Sequence, residues 1–295
     1  MTNPRPTTVL VLGASGMLGN AVLRLFAASH GYVVFGSMRS AATLPRLPRT
    51  VRPQVITGID VENTDSLMRL FATVRPQVVI NCVGVIKQLV DADDPLLALP
   101  INAMLPHRLA RLCEVAGARL VHVSTDCVFS GAKGAYVESD VADAHDLYGR
   151  SKLLGEVDYP AAVTLRTSII GHELGSAHGL VGWFLAQQQR VKGYRQAIFS
   201  GLPTDELARV IRDHVLPRPE LRGTYHVSAA AINKFELLTL ISRAYCKQIE
   251  IVADDAVQID RSLDSSRFRA AAGYAPDDWP TLIDRMRAFQ AAAAD

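Results

Sequence analysis

The chain has 295 residues, 49% hydrophobic and 20% charged, with a formal net charge of +2. That composition builds a soluble core, excludes a disordered or fibrous chain, and leaves room for a main domain with a smaller lid. Its Lys and Arg are scattered rather than gathered into a run of five or six, which argues against a nucleic-acid partner. Cys82, Cys113, Cys127 and Cys246 lie far apart without paired ligand spacing, so they read as reduced thiols, with neither disulfides nor a metal site. The apolar run Val9 to Leu12, preceded only by Arg5 as a positive charge, is too short for a signal core or a membrane span. A cytoplasmic protein with no membrane contact is the expectation.

From Thr8 to about Leu165 short β-branched runs alternate with helical stretches. This pattern predicts an α/β fold of Rossmann type, a doubly wound parallel sheet with helices on both faces. The predicted strands are Thr8–Leu12, Tyr32–Phe35, Gln54–Thr57, Gln77–Asn81, Arg119–Ser124 and Ala162–Leu165, most of them nearly all apolar, as doubly buried strands are. Between them the 3.6-residue pattern predicts helices over Met17–Ala28, Asp65–Val74 with Asn63 or Thr64 as N-cap, Asn102–Ala116 and Leu147–Val157. Pro106 should kink or start a helix. Beyond Arg166 the alternation breaks, with helices expected over Asp205–Val215, Lys234–Tyr245 and Thr281–Ala292. The reading is therefore a nucleotide-binding domain over 1–165 and a mainly substrate-binding part over 166–295, with interleaving of the two left open.

The first strand runs into Gly13-Ala14-Ser15-Gly16-Met17-Leu18-Gly19, a GxxGxxG turn that opens a helix. Glycines let the backbone approach a pyrophosphate, and the helix N-terminus offers free N–H groups and a positive dipole end. After the second strand stands Gly36-Ser37-Met38-Arg39-Ser40, with no acid for an adenosine ribose. A guanidinium there can pair with a 2′-phosphate, so Arg39 points to NADP(H). By position in the fold, Asp60 and Val61 would meet the adenine, and Cys82, Val83 and Gly84 would line the cofactor groove.

After the fifth strand comes Ser124-Thr125-Asp126-Cys127-Val128-Phe129, and Tyr148-Gly149-Arg150-Ser151-Lys152 opens a later helix. Tyr148 and Lys152 are four apart and share a helical face. A free phenol titrates near ~10, and a neighbouring ammonium is what stabilises its anion near neutral pH. Thr125 would emerge at the carboxyl end of a parallel strand, where its hydroxyl could hold a carbonyl oxygen. Arg166, Lys87 and Arg261 are candidates for a substrate pyrophosphate, which needs cationic partners. His172 and His178 beside Glu173 read as loop residues, and Trp183 and Phe184 divide evenly between core and sugar-stacking roles.

With these motifs in view, the first 170 residues or so resemble the dTDP-4-dehydrorhamnose reductase family, within the extended short-chain dehydrogenase/reductases. The resemblance rests on the glycine turn, Ser124 to Phe129, Gly131 to Asp140, Tyr148 to Glu156 and Leu165 to Ser168. It implies a Thr125-Tyr148-Lys152 set, with Tyr148 and Lys152 also touching the cofactor, and NADPH-dependent reduction of a 4-keto group on a nucleotide-linked deoxysugar, with Asp126 beside the substrate. It also implies that Asn102 supports the lysine. The chain departs at Cys127, where the family usually has tyrosine, and at Ile169-Ile170. Segments such as Val83 to Gln88 and Asp260 to Asp264 resemble a subgroup that handles UDP-linked amino-deoxysugars for polysaccharides. Two alternatives stay open, an NAD-dependent epimerase and a non-catalytic NADP-binding regulatory subunit, since the β subunit of methionine adenosyltransferase resembles the same family. A homodimer is compatible with either.

Overall fold

The computed structural model describes residues 5–86 and 93–292. A seven-stranded sheet, parallel throughout, forms the centre. Its first six strands in chain order are β1 (Thr7–Leu12), β2 (Tyr32–Met38), β3 (Val55–Thr57), β4 (Val78–Asn81), β5 (Arg119–Thr125) and β6 (Ala162–Thr167). Across the sheet they run β6-β5-β4-β1-β2-β3, and Gly223–His226 adds the outermost strand beside β6. The order reverses between β1 and β4, and the crevice at that switch point, at the carboxyl ends of the strands, is where open sheets of this kind bind ligands.

Both faces are dry, which is why the strands read as continuous apolar runs. In β1, Val9 and Val11 enter one core while Leu10 and Leu12 enter the other. The first core is closed by helices Met17–Ala27, Thr204–Val210, Lys234–Ala244 and Trp279–Ala291, through residues such as Phe26, Leu207, Ile241 and Leu282. Thr64–Val74 and Leu105–Ala116 close the second through Leu67, Phe71, Leu105 and Leu109. Asn63 caps the first of that pair, its side chain accepting from the Ser66 amide at 2.9 Å.

The helix expected over Asn102–Ala116 begins earlier. Pro95–Ala98 is α-helical, Leu99–Met104 is wound as a π-helix, and Leu105–Ala116 is α-helical again. Pro100 and Pro106 lack amide hydrogens, so the regular ladder is broken between them, and the Leu105 amide reaches back five residues to the Pro100 carbonyl. The helix expected over Leu147–Val157 stops at Leu154. Val157 is captured instead by Thr164 of β6, whose hydroxyl accepts from the Val157 amide at 3.1 Å and donates to its carbonyl at 2.9 Å.

Beyond β6 short strands build a second layer. Ala197–Phe199 lies between Ile232–Asn233, antiparallel, and Ile259–Asp260, parallel. The helix from Thr204 packs on the first core, and Arg119 of β5 donates to the carbonyls of Val215 and Leu221 at 2.8 Å each. Trp183 is 38% exposed while Phe184 is fully buried. No helix among the described residues is long and apolar enough to cross a membrane.

Candidate active site

The glycine turn sits at the switch point. Gly13 turns with φ +81°, and the Ala14 amide is held by the Ser37 carbonyl of β2 at 2.9 Å. A Cβ on Gly19 would stand 2.1 Å from the Gly13 carbonyl oxygen, so the helix can begin against the turn only with glycine there. The 11-residue helix that follows has Gly16 as N-cap, no side-chain cap and no acid in its first turn. Its leading amides therefore stay open for an anion. Ser15 and Met17 are half-buried beside it, and Leu18 is buried.

The other cofactor candidates ring this turn. Arg39 is exposed just past β2, and Asp60 is exposed past β3 with its carboxylate accepting from the Glu62 amide at 3.0 Å. Val61 packs against the second core. The loop after β4 is tied in at Cys82, whose amide donates to the Leu12 carbonyl at 3.1 Å, and at Val83, whose amide donates to Asn81 Oδ1 at 3.1 Å. Gly84 is exposed. A nicotinamide dinucleotide fits these donors: open amides face the diphosphate position, and no carboxylate follows β2 where a 2′-phosphate would lie. Lys87 lies outside the described residues.

Asn102, which the resemblance implies supports the lysine, lies buried in the π-helical segment. Its Oδ1 accepts from the Val85 amide at 2.9 Å, and its Nδ2 donates to the Val85 carbonyl at 3.1 Å and to Ser151 Oγ at 3.2 Å. One side chain thus pins the loop after β4 to the helix that carries Tyr148 and Lys152.

Thr125 ends β5, its hydroxyl donating to Asp126 at 3.2 Å and accepting from the Cys127 amide at 3.1 Å. Asp146 caps the helix Leu147–Leu154, accepting from the Gly149 amide at 2.7 Å. Burial, then Cys127, push the Tyr148 phenol well above its usual range, while hydrogen bonding from Thr125 pulls it partway back. Lys152 is buried and donates to the Val123 carbonyl at 2.8 Å. Burial brings its ammonium down to about 8, opposed by Glu156 and Cys82. The Asp126 carboxyl is raised by burial, with Arg261 the strongest charge opposing it, and Cys127 is pushed up to about 11 by burial. Arg261 reaches the site from the second layer, its Nε donating to the Phe129 carbonyl at 2.8 Å.

Arg166 is not presented to a ligand. It is 5% exposed, its Nε and Nη2 bind Glu156 at 2.9 and 2.6 Å, and its Nη1 meets His226 Nε2 at 2.9 Å. Since His226 Nε2 accepts there, its Nδ1 carries the proton and donates to the Tyr136 carbonyl at 2.9 Å. Ser124 adds a hydrogen bond to Glu156 at 2.7 Å, and the guanidinium lies 5.0 Å from the Phe129 ring centroid. The arginine is a buried brace, fastening β6 to the segment just past the helix Leu147–Leu154. Sequence reading also passed over Lys234, at the first turn of a helix, where a lysine ordinarily reads as solvated; here its ammonium lies 4.3 Å from the Phe199 ring centroid, and burial brings it down to about 8 against the charges of Asp126 and Cys127. His172, half-buried, contacts the Tyr245 hydroxyl at 2.7 Å.

The family model for the RmlD substrate binding domain matches residues 7–281. The chain belongs to this family. That agrees with the resemblance to dTDP-4-dehydrorhamnose reductases carried by the motifs. The chain is 28% identical over 310 residues to the probable low-salt glycan biosynthesis reductase Agl14 of Haloferax volcanii, covering 97% of this chain and 98% of that protein. It is 25% identical to the β subunit of methionine adenosyltransferase 2 of Rattus norvegicus, covering 94% and 89%. The crystal structure of dTDP-4-dehydrorhamnose reductase from Bacillus anthracis in complex with NADP superposes with a TM-score of 0.78 at 21% identity, covering 96% and 99%. This likeness fixes the fold as the Rossmann-type α/β architecture expected from the alternation.

Proposed function

We propose that the chain is an NADPH-dependent reductase of the 4-keto group of a nucleotide-linked deoxysugar, serving polysaccharide assembly. One observation carries this reading: the open leading amides of the helix that follows Gly16 and the Thr125, Tyr148, Lys152 set meet at the same carboxyl edge of the sheet. When bound, the nicotinamide cofactor supplies a hydride. The protein's part is the proton and the developing charge. Tyr148, kept protonated at neutral pH by burial, donates its proton to the keto oxygen as the carbon is reduced. With its hydroxyl turned from Asp126, Thr125 donates a hydrogen bond to the same oxygen, and the Lys152 ammonium stabilises the phenolate left behind. Asp126 and Arg261 border the sugar and its diphosphate. Arg39 supports NADPH over NADH. The glycan reductase and the rhamnose-pathway reductase among the relatives support the substrate class.

The test is NADPH oxidation by the purified chain with a panel of 4-keto-6-deoxy nucleotide sugars, dTDP- and UDP-linked. Turnover with at least one member, abolished by Tyr148→Phe, is the expected result. A regulatory binding role is the second reading, favoured by the 25% identity to the adenosyltransferase β subunit. It would stand if NADPH binds and no sugar is reduced.

A further inference from the structure

His122 stands within β5, directly opposite Asn81 at the end of β4, and both side chains are buried. Strand alternation turns the imidazole to the side of Leu120, which belongs to the second core. Its Nε2 has no hydrogen-bond partner among the described residues. A leucine would fill such a place without leaving an N–H unmet. Packing therefore does not account for a histidine here, and its other nitrogen does.

Asn81 Oδ1 accepts from the Val83 amide at 3.1 Å, so the part of the Asn81 side chain that meets His122 Nδ1, 3.2 Å away, is its NH2 group. Nδ1 is then the acceptor, and in the neutral ring Nε2 carries the hydrogen. Burial, then the charge of Lys152, then that of His107 hold His122 well below the ordinary histidine range, so the ring is neutral. Lys152 adjoins it through the chain as well, its Nζ donating to the carbonyl of Val123, the next residue of β5. A turned-over Asn81 amide would set its oxygen against Nδ1 and its NH2 against the Val83 N–H. His122 and Val83 together thus leave Asn81 one orientation.

What Asn81 holds is the segment after β4. A Cβ on Gly13 would lie 3.1 Å from Val83 Cγ2 and 3.2 Å from the Cys82 carbonyl oxygen, so this segment abuts the glycine turn. Farther along, Asn102 fastens it at Val85 and donates to Ser151 Oγ, which donates in turn to the Tyr148 carbonyl at 2.9 Å. Asn81 fixes the start of the segment, and Asn102 ties its end to the helix of Tyr148 and Lys152. We propose that His122 is a positioning residue that, by accepting a hydrogen bond from Asn81, sets residues 82–85 against the glycine turn and so tightens NADP(H) binding. This deepens the reading of the site as one for NADPH and rests on it.

Calorimetric NADP⁺ titration and thermal melting of three variants separate the two nitrogens from the volume of the ring. H122N can place Oδ1 where Nδ1 stood, H122Q reaches the Nε2 position instead, and H122L keeps most of the volume with no polar atom. H122Q and H122L should bind NADP⁺ about 3- to 10-fold more weakly, the worth of a neutral hydrogen bond, while H122N should bind like the wild type. The smaller side chain of H122N leaves a void, so it should melt below H122L although it binds more tightly. Asn81→Leu should weaken NADP⁺ as much as H122L does, and combining the two should cost nothing more. Affinities that follow the order of the melting temperatures, or H122Q binding like the wild type, would overturn the proposal, as would a wild type that does not bind NADP⁺. The comparison of H122N with H122Q decides even where H122L does not fold. Keto-sugar reduction is scored separately. The expected order of affinities without turnover refutes the reductase reading and leaves this one standing, and turnover by the wild type with normal binding by H122Q does the reverse.

Discussion

Replacing Arg166 separates a brace from a ligand. The guanidinium and the Glu156 carboxylate are 6% and 9% exposed, with contacts of 2.6 and 2.9 Å. Arg166→Met removes the cation, leaves the Glu156 carboxylate buried with only Ser124 among the described residues as a hydrogen-bond partner, and strips a donor from His226. Breaking a buried pair on one side costs about 3 to 5 kcal/mol, because the charge left behind stays desolvated. With an unfolding entropy of ~2.1 cal/mol/K per residue over 295 residues, about 4 kcal/mol corresponds to a melting shift of about 6 °C. The assay is calorimetric melting of Arg166→Met, Glu156→Gln and the double variant with NADP⁺ absent. The double variant should recover most of the loss, since it leaves no unpaired charge. Michaelis constants for the sugar nucleotide should move little at temperatures where each variant is folded. An unchanged melting temperature together with a tenfold rise in that Michaelis constant would refute the reasoning and return Arg166 to the substrate.

Tyr148→Phe keeps the ring and loses the proton donor, so single-turnover NADPH oxidation should slow by about 10² to 10⁴ with cofactor affinity intact; unchanged turnover would remove the mechanism. Arg39→Ala should weaken NADPH more than NADH, by about 1.5 to 3 kcal/mol, read by fluorescence titration of both. Burial lowers Lys152 from the ordinary 10.5 of a lysine to about 8 in the folded chain. Its charged form therefore costs stability fully below about pH 8, and that cost fades as pH rises toward the unfolded value. Lys152→Met should raise the melting temperature at pH 7 and flatten the rise between pH 8 and 10, while slowing the reaction; a steeper pH dependence in the variant would contradict this.

Local chemistry carried most of what could be read in advance. The apolar runs of β1 and β4 announce strands buried on both faces, and Gly13, Gly16 and Gly19 announce the turn, because each demand is met within a few residues of chain. Tyr148 and Lys152 were legible for the same reason, their relation being one helical turn. What escaped depends on distant partners. Arg166 reads as a cation at a strand end, and only the folded chain brings Glu156 and His226 against it. Lys234 gives no local signal at all, since its setting is made by Phe199 and by Asp126 and Cys127, from two other stretches. The π-helical run at Asn102 lies between, for Pro100 and Pro106 hinted at an irregularity but not at its register.

The strand Gly223–His226 has a consequence for how the protein is made. β6 gains its outer neighbour only from this segment, and Arg119 of β5 finds its two carbonyl partners at Val215 and Leu221. On a ribosome adding ~5 to 20 residues per second, the nascent sheet ends in an unpaired β6 for several seconds after Thr167 emerges. Until Val210 has emerged, the apolar residues of β6, Val163 and Leu165, also lack the helix Thr204–Val210 that shares their core. A nascent chain of this design offers a sticky edge to its neighbours on the same message, so its yield in the cell should depend on translation speed through residues 168–226 and on chaperones that shield that edge.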